Sequence, residues 1–426
     1  MSLYTVKSGD SLYSIAGAFG SAPALIAEWN GLLPPYPLAV GQSLLILSPV
    51  QTHTVMRGDT VFSVCSRYGI TQNDLFRKNP SLCGGYVPLS AGQTLVIEFA
   101  EKPDDEMFSY AYAYTFIEER TLRQTLPYLS ALAPFTYGFT SDGTLLSLPD
   151  SKLLSACSNY GTMPLMHIST LTESGGFSNE LASELFASEE AQNNLISEII
   201  TEMTEKGYGG LDIDFEFVFA YDAESYADFI AKARAALAPY GYTVYAALAP
   251  KTSASQPGLL YEGHLYDKIG AAADKVFLMT YEWGYTYGPP MAVAPINAVR
   301  RVLDYAVTEI PPEKIIMGIP NYGYDWTLPY KSGETRAKLI SNEEAVRIAI
   351  QNNAEIRFDE TAQSPYFNYY SGDARHEVWF EDPRSIEAKL SLPNEYGFFG
   401  VGYWNAMRPF NSNWLILSQI YGVNVP

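Results

Sequence analysis

The chain has 426 residues, or about three domains at roughly 150 residues each, and 47% of them are hydrophobic, enough to bury a large core. Lys and Arg number 27 against 47 Asp and Glu, a net charge of −20. That balance excludes a protein tracking nucleic acid phosphates or docking electrostatically on anionic lipid, since both need a basic face. With 32 Tyr, 21 Phe and 6 Trp, the composition suits a neutral, ring-shaped ligand such as a sugar. No stretch has the 18 or so apolar residues of a membrane helix. Met1 to Asp10 lacks the basic and apolar regions of a signal peptide, so no leader is expected. Cys65, Cys83 and Cys157 cannot form a disulfide framework and are read as free thiols, a Cys65–Cys83 bridge being the alternative. His53, His167, His264 and His376 show no metal-ligand spacing, and neither a metal nor a cofactor is expected.

The first hundred residues contain an internal repeat. Tyr4-Thr-Val6-Lys-Ser-Gly9-Asp10-Ser-Leu12 matches His53-Thr-Val55-Met-Arg-Gly58-Asp59-Thr-Val61 at an offset of 49, as do Asn30 and Asn79. Gly41-Gln42 matches Gly92-Gln93 at an offset of 51. Each copy opens and closes on a β-rich run with two helical patterns between, and Asp10 or Ser11 is placed to cap the first helix. Both copies resemble the LysM module, and the resemblance covers nearly all of residues 2–98. It implies binding to glycans containing N-acetylglucosamine, such as peptidoglycan or chitin. Two weak modules close together gain avidity. A pair of structural domains without a ligand is the alternative.

Ser48–Gln51 and Glu101–Glu106 read as linkers. They divide the chain into modules at 1–49 and 50–101 and a domain at 102–426. In that last domain eight apolar runs alternate with helical patterns: Phe108–Tyr114, Phe135–Phe139, Pro164–Ile168, Gly210–Phe215, Thr243–Leu248, Val276–Thr280, Lys314–Ile319 and Gly397–Tyr403. The expected fold is therefore α/β, a (β/α)₈ TIM barrel preceded by two small βααβ domains. An open doubly wound sheet is the runner-up.

The sharpest local feature is Gly209-Gly210-Leu211-Asp212-Ile213-Asp214-Phe215-Glu216. Alternate residues of a strand share a face, so Asp212, Asp214 and Glu216 point into the barrel together. Three stacked carboxylates are costly through desolvation and repulsion, and acids at the C-terminal end of a barrel strand usually do chemistry. Glycosidic cleavage needs a carboxylic acid that keeps its proton near neutral pH, which neighbouring carboxylates promote. Glu216, nearest the open face, is the candidate general acid. Asp214, one pleat deeper, shares its proton and holds it in place.

This row resembles the Asp-Gly-x-Asp-x-Asp-x-Glu signature of glycoside hydrolase family 18, the chitinase-like barrels, except that Gly209 replaces the first acid. The resemblance implies substrate-assisted retention. The sugar's own 2-acetamido oxygen attacks the anomeric carbon, with Asp214 steering the acetamido N–H and Asp212 behind it. Met279-Thr280-Tyr281-Glu282 resembles the family's Met-x-Tyr-Asp. Tyr281 would donate to the acetamido oxygen and Glu282 would contact a sugar hydroxyl. Trp404 resembles the tryptophan floor under the reacting sugar. Trp283, Asn321, Tyr322 and Trp326 are expected to join Glu282 and Trp404 in binding substrate, and Tyr285, Tyr287 and Tyr324 crowd the same loops. His167 is read as a satisfied core histidine, with a pocket-lining place as the alternative. About fifteen residues separate Trp326 from the next helical pattern, so no α+β insertion is expected after the seventh strand, and the groove should be shallow.

Along its full length the chain resembles the bacterial cortex-lytic and wall-lytic members of family 18. The resemblance implies an N-acetylglucosaminidase acting on peptidoglycan in the spore coat, cortex or cell wall. From charge and composition no nucleic acid or membrane partner is expected, and a monomer is the expected state, which the sequence does not fix. A chitinase, or a non-catalytic glycan-binding protein on an inactive barrel, are the competing expectations.

Overall fold

The computed structural model describes residues 1–103, 105–171 and 176–424. Asp104 of the second linker and the last two residues of the 102–426 domain lie outside the described residues. The two N-terminal modules have the same build. Ser2–Thr5 pairs antiparallel with Ser43–Ile46, and Pro49–Thr54 with Thr94–Phe99. Helices Leu12–Phe19 and Pro23–Trp29 lie between the first pair of strands, Val61–Tyr68 and Gln72–Lys78 between the second. Ser11 and Thr60, not the aspartates before them, are the N-caps of the first helices, in reciprocal bonds with Ser14 and Ser63. Asp10 and Asp59 turn back instead to accept from Lys7 and Met56 N–H, each at 2.8 Å. The repeated asparagine is a staple. Asn30 accepts from Leu45 N–H at 2.7 Å and donates to Ile26 and Leu45 carbonyls at 2.8 Å. Asn79 does the same with Val96 and Leu75. Because the second module's strand starts at Pro49, most of the expected first linker, Ser48–Gln51, is strand.

Eight parallel strands close into a barrel. Their order runs Asp105–Tyr114, Ala131–Phe135, Met163–Ser169, Gly210–Asp214, Thr243–Leu248, Lys275–Leu278, Ile315–Pro320 and Gly400–Trp404, and the last pairs with the first from Gly400↔Phe108 to Tyr403↔Ala111. The closing Tyr421–Val423 adds a parallel edge to the first strand. Closure excludes the open doubly wound sheet. The second strand ends where Phe135–Phe139 was expected to begin. Its run Ala-Leu-Ala-Pro-Phe lacks the β-branched residues that mark a strand, and Gly138–Phe139 pairs instead with Leu145–Leu146. All three cysteines are buried free thiols. Among the described residues no helix is long and apolar enough to cross a membrane.

One expectation is overturned. An α+β unit does stand between the seventh and eighth strands. Gly323–Leu328, Lys338–Ile340, Arg357–Asp359, Ser364–Ser371 and Ala374–Trp379 form a five-stranded antiparallel sheet with helix Asn342–Gln351. Ile340, Ala345, Ala349, Ile356, Phe367, Val378 and Phe380 fill its small core. Its strands are short and mix polar with aromatic residues, a weak sequence signal. The gap that matters runs to the eighth strand, not to the helix near Ser341.

The modules are docked, not trailing. Ala39 of the first module joins the core of the α+β unit, and Ile356 N–H donates to Val40 carbonyl at 2.9 Å. The second module holds the barrel through Arg77 Nε to Pro127 O at 2.6 Å, Tyr128 hydroxyl to Arg77 O at 2.8 Å and Asn73 Nδ2 to Tyr160 O at 2.8 Å. Between the modules, Ser81 N–H donates to Glu28 Oε1 at 2.9 Å. Gly41 makes the first contact possible: its φ is +82°, and a Cβ there would lie 1.8 Å from Ile356 O. Gly9, at φ +88°, has open space around it. Gly41→Ala should therefore cost about 2–3 kcal/mol, combining backbone strain with a lost interdomain hydrogen bond. Gly9→Ala should cost only the strain, about 1–2 kcal/mol. Thermal unfolding with limited proteolysis separates the two, because only Gly41→Ala should also speed cleavage around the first module.

Candidate active site

The fourth strand, Gly210–Asp214, sets the site. Leu211 and Ile213 pack fully buried on the outer face, leaving Asp212 and Asp214 to point inward. In register Asp212 lies between His167 of the third strand and Tyr245 of the fifth. Asp212 is completely buried, and its Oδ2 accepts from Tyr110 hydroxyl at 2.6 Å. His167 Nε2 stands 3.8 Å from Asp212 Oδ2 and 3.4 Å from Asp214 Oδ2. On its other side His167 Nδ1 lies 2.7 Å from Thr136 Oγ1. The reading of His167 as a satisfied core histidine is thus corrected. It is buried, but its Nε2 makes no hydrogen bond and faces the two carboxylates. Burial pushes Asp212 above the ordinary carboxylate range, while His167 and Tyr110 pull it back.

Glu216 follows in the turn beyond the strand, half-buried. Burial first, then the charges of Asp214 and Glu282, hold its carboxyl well above the usual range. It is therefore a protonated acid at pH values where an exposed glutamate is ionised, as a proton donor to a leaving oxygen must be. Glu282, four residues past the end of the sixth strand, takes φ +67° and accepts from the hydroxyls of Tyr322 and Tyr324. Burial raises it too, against those two hydrogen bonds.

These groups open on one cavity of about 560 Å³ at the C-terminal end of the barrel. Asp214, Glu216, Tyr281, Glu282, Trp283 and Trp404 all line it, with Tyr112, Tyr114, Phe135, Leu171, Phe177, Pro250, Leu260, Tyr261 and Met279. Apolar rings with few polar groups suit a pyranose, whose C–H face is apolar and whose rim is not. Among the described residues Tyr281 hydroxyl has no protein partner. Asp212 sits beneath, out of the lining.

Three expected ligand contacts lie elsewhere. Asn321 is buried and donates to the carbonyls of Asn405 and Arg408 at 3.0 and 2.9 Å. Trp326 is buried and donates to Gly288 O at 2.8 Å. Tyr322 is buried and holds Glu282 without lining the cavity. Crowding in sequence marked the right loops but not the faces the side chains take. No residue of the α+β unit lines the cavity; it braces the site through Tyr324. The expectation of a shallow groove loses its premise with the insertion present. At Gly209, where the signature has its first acid, a Cβ would lie 2.5 Å from Met163 Sδ, so a side chain there requires the Met163 thioether to shift.

The model of glycosyl hydrolases family 18 matches residues 108–408, and that of the LysM domain matches 4–47 and 53–98. The chain belongs to glycosyl hydrolases family 18. It is a glycoside hydrolase with two LysM domains ahead of its barrel. Among relatives, the cortical fragment-lytic enzyme of Bacillus subtilis (strain 168) is 40% identical over 428 residues, 99% of each chain. The spore cortex-lytic enzyme SleL of Bacillus cereus superposes with a TM-score of 0.84 at 37% identity, over 99% of this chain and 98% of that one. A chitinase of Chromobacterium violaceum ATCC 12472 shares 25% identity and a TM-score of 0.69, over 74% of this chain and 98% of that one. The family 18 match takes in the whole acid row and extends four residues past Trp404.

Proposed function

We propose that this protein is an N-acetylglucosaminidase that cleaves peptidoglycan of spore cortex or cell wall, with retention and by substrate assistance. The observation that carries the reading is one cavity holding Asp214, Glu216 and a Tyr281 hydroxyl with no protein partner among the described residues. Glu216 donates its proton to the leaving oxygen. Asp214 and Glu216 sit on one strand and its turn, on one side of the cavity, so they make a poor acid–nucleophile pair across a bond. The acetamido oxygen of the sugar serves as nucleophile, with Tyr281 donating to it and Asp214 orienting its N–H. Trp404 lies under the sugar ring. The docked LysM pair holds the polymer. The lytic enzymes named above, similar over nearly the whole chain, support the choice of peptidoglycan.

The chitinase reading keeps one argument, the α+β unit, which chitinases with deep clefts also carry. Mass spectrometry of products from cortex peptidoglycan, vegetative peptidoglycan and chitin oligomers separates the readings, with Glu216→Gln as control. Muropeptides ending in reducing N-acetylglucosamine, absent from the control, are expected. Chito-oligomer products alone would replace the proposal by a chitinase. No product from any polymer, with the protein still pelleting with it, would leave a binding protein.

A further inference from the structure

We propose that His264 is a positioning residue for Glu216, acting through the backbone of the turn that carries the acid. This rests on the reading of Glu216 as proton donor. Among the described residues the Glu216 carboxyl has no hydrogen bond to protein, so its own backbone and rotamer set where it points. That backbone is irregular: the chain leaves the strand after Asp214, and Phe217 takes φ +59°, which bulky residues seldom adopt.

His264, in the loop after the fifth strand, is fully buried and uses both ring nitrogens. Ala249 N–H, which can only donate, points at Nδ1 at 2.9 Å, so Nδ1 carries no proton. The proton is on Nε2, which donates to the carbonyl of Phe215 at 3.1 Å. One neutral imidazole thus ties the residue before Glu216 to the end of the neighbouring strand. A second contact comes from the adjacent glycine. Gly263 lies so close to the turn that a Cβ there would be 2.4 Å from Val218 O. Residues 263 and 264 therefore press on the chain both before and after Glu216.

The surroundings favour the neutral ring. Lys251 Nζ donates to His264 carbonyl at 2.9 Å, and Tyr226 lies with its ring centroid 5.8 Å from the imidazole. Burial pushes the imidazole down to about 4, opposed by the hydrogen bond to Phe215 and then by Asp214, and reinforced by Lys251. A protonated ring would aim a second donor at Ala249 N–H and break the tie. Leu260 and Tyr261, a few residues earlier in the same segment, line the cavity, so the brace also borders the sugar.

The test uses the full chain and purified soluble tetrasaccharide fragments of peptidoglycan. His264→Phe keeps the ring and loses both bonds. It should lower kcat at least tenfold, leave KM within about threefold and displace the alkaline limb of the kcat profile, since a 1 Å error at a reacting group is costly. His264→Gln, whose amide both accepts and donates, should recover most of the loss. If His264→Phe does not fold, His264→Asn replaces it: it keeps the acceptor for Ala249, loses the donor to Phe215, and should show the same fall in kcat. A kcat within twofold of wild type overturns the proposal. So does an equal loss in His264→Phe and His264→Gln with an unmoved pH profile, which reduces the residue to packing. Glu216→Gln, assayed in parallel, separates the two claims. If it stays active, the acid reading falls and the brace with it; if it is inactive while His264 variants match wild type, the brace alone falls.

Discussion

Glu216→Gln should lower cleavage of peptidoglycan at least a hundredfold while leaving binding to the polymer intact. The amide keeps the shape of the side chain but has no proton to give to a leaving oxygen. General acid catalysis contributes about 10²- to 10⁴-fold, or roughly 3–5 kcal/mol of barrier. Binding should survive because Trp404, Trp283 and the rest of the cavity lining do not depend on the proton, and because the two LysM domains lie outside the barrel. The substitution should also relieve the cost of a half-buried acid beside Asp214 and Glu282, so the variant should be no less stable than the parent. Product analysis and pelleting with insoluble peptidoglycan measure the two halves. A variant that keeps more than about a hundredth of the parent rate removes Glu216 from its role.

Asp214→Asn carries the second large effect, and its direction in pH can be worked out. After burial, the Asp214 charge is the larger of the two charges that raise Glu216. Neutralising it lowers Glu216, so the acid loses its proton at a lower pH. The alkaline limb of the kcat profile should move toward acid, and the rate at the parent optimum should fall by a hundredfold or more through loss of the acetamido steering proposed for Asp214. His167 would then face one carboxylate, Asp212, where it now faces two. A variant with reduced rate but an unmoved alkaline limb would show that Asp214 does not set the titration of Glu216.

The acid row was legible because a strand has a period of two, and three acids at that spacing have few structural uses. Its counterpart His167 was not, because it comes more than forty residues earlier, and only the pairing Asp212↔His167 brings the two together. The same limit hid His264, whose partners Ala249 and Phe215 are backbone groups that no side-chain pattern announces. Repeats and barrel alternation were legible since each helix and strand carries its own periodic signal. The α+β unit was missed because strands of three to eight residues with polar and aromatic residues mixed give little periodicity. Asn321 and Trp326 were placed in the right loops and on the wrong faces, since burial depends on neighbours distant in sequence.

The contacts of Ala39 and Val40 with the α+β unit, and of Arg77 with the barrel, have a kinetic side. A cleft on a long leash sweeps a sphere of polymer around each anchoring point. Here the leash has no slack, and an anchored molecule addresses only bonds at one fixed offset from the strand it grips. Once those are cut it must let go to find more. Under that geometry tighter gripping slows degradation, and the fastest arrangement uses two anchors that each hold weakly and release often.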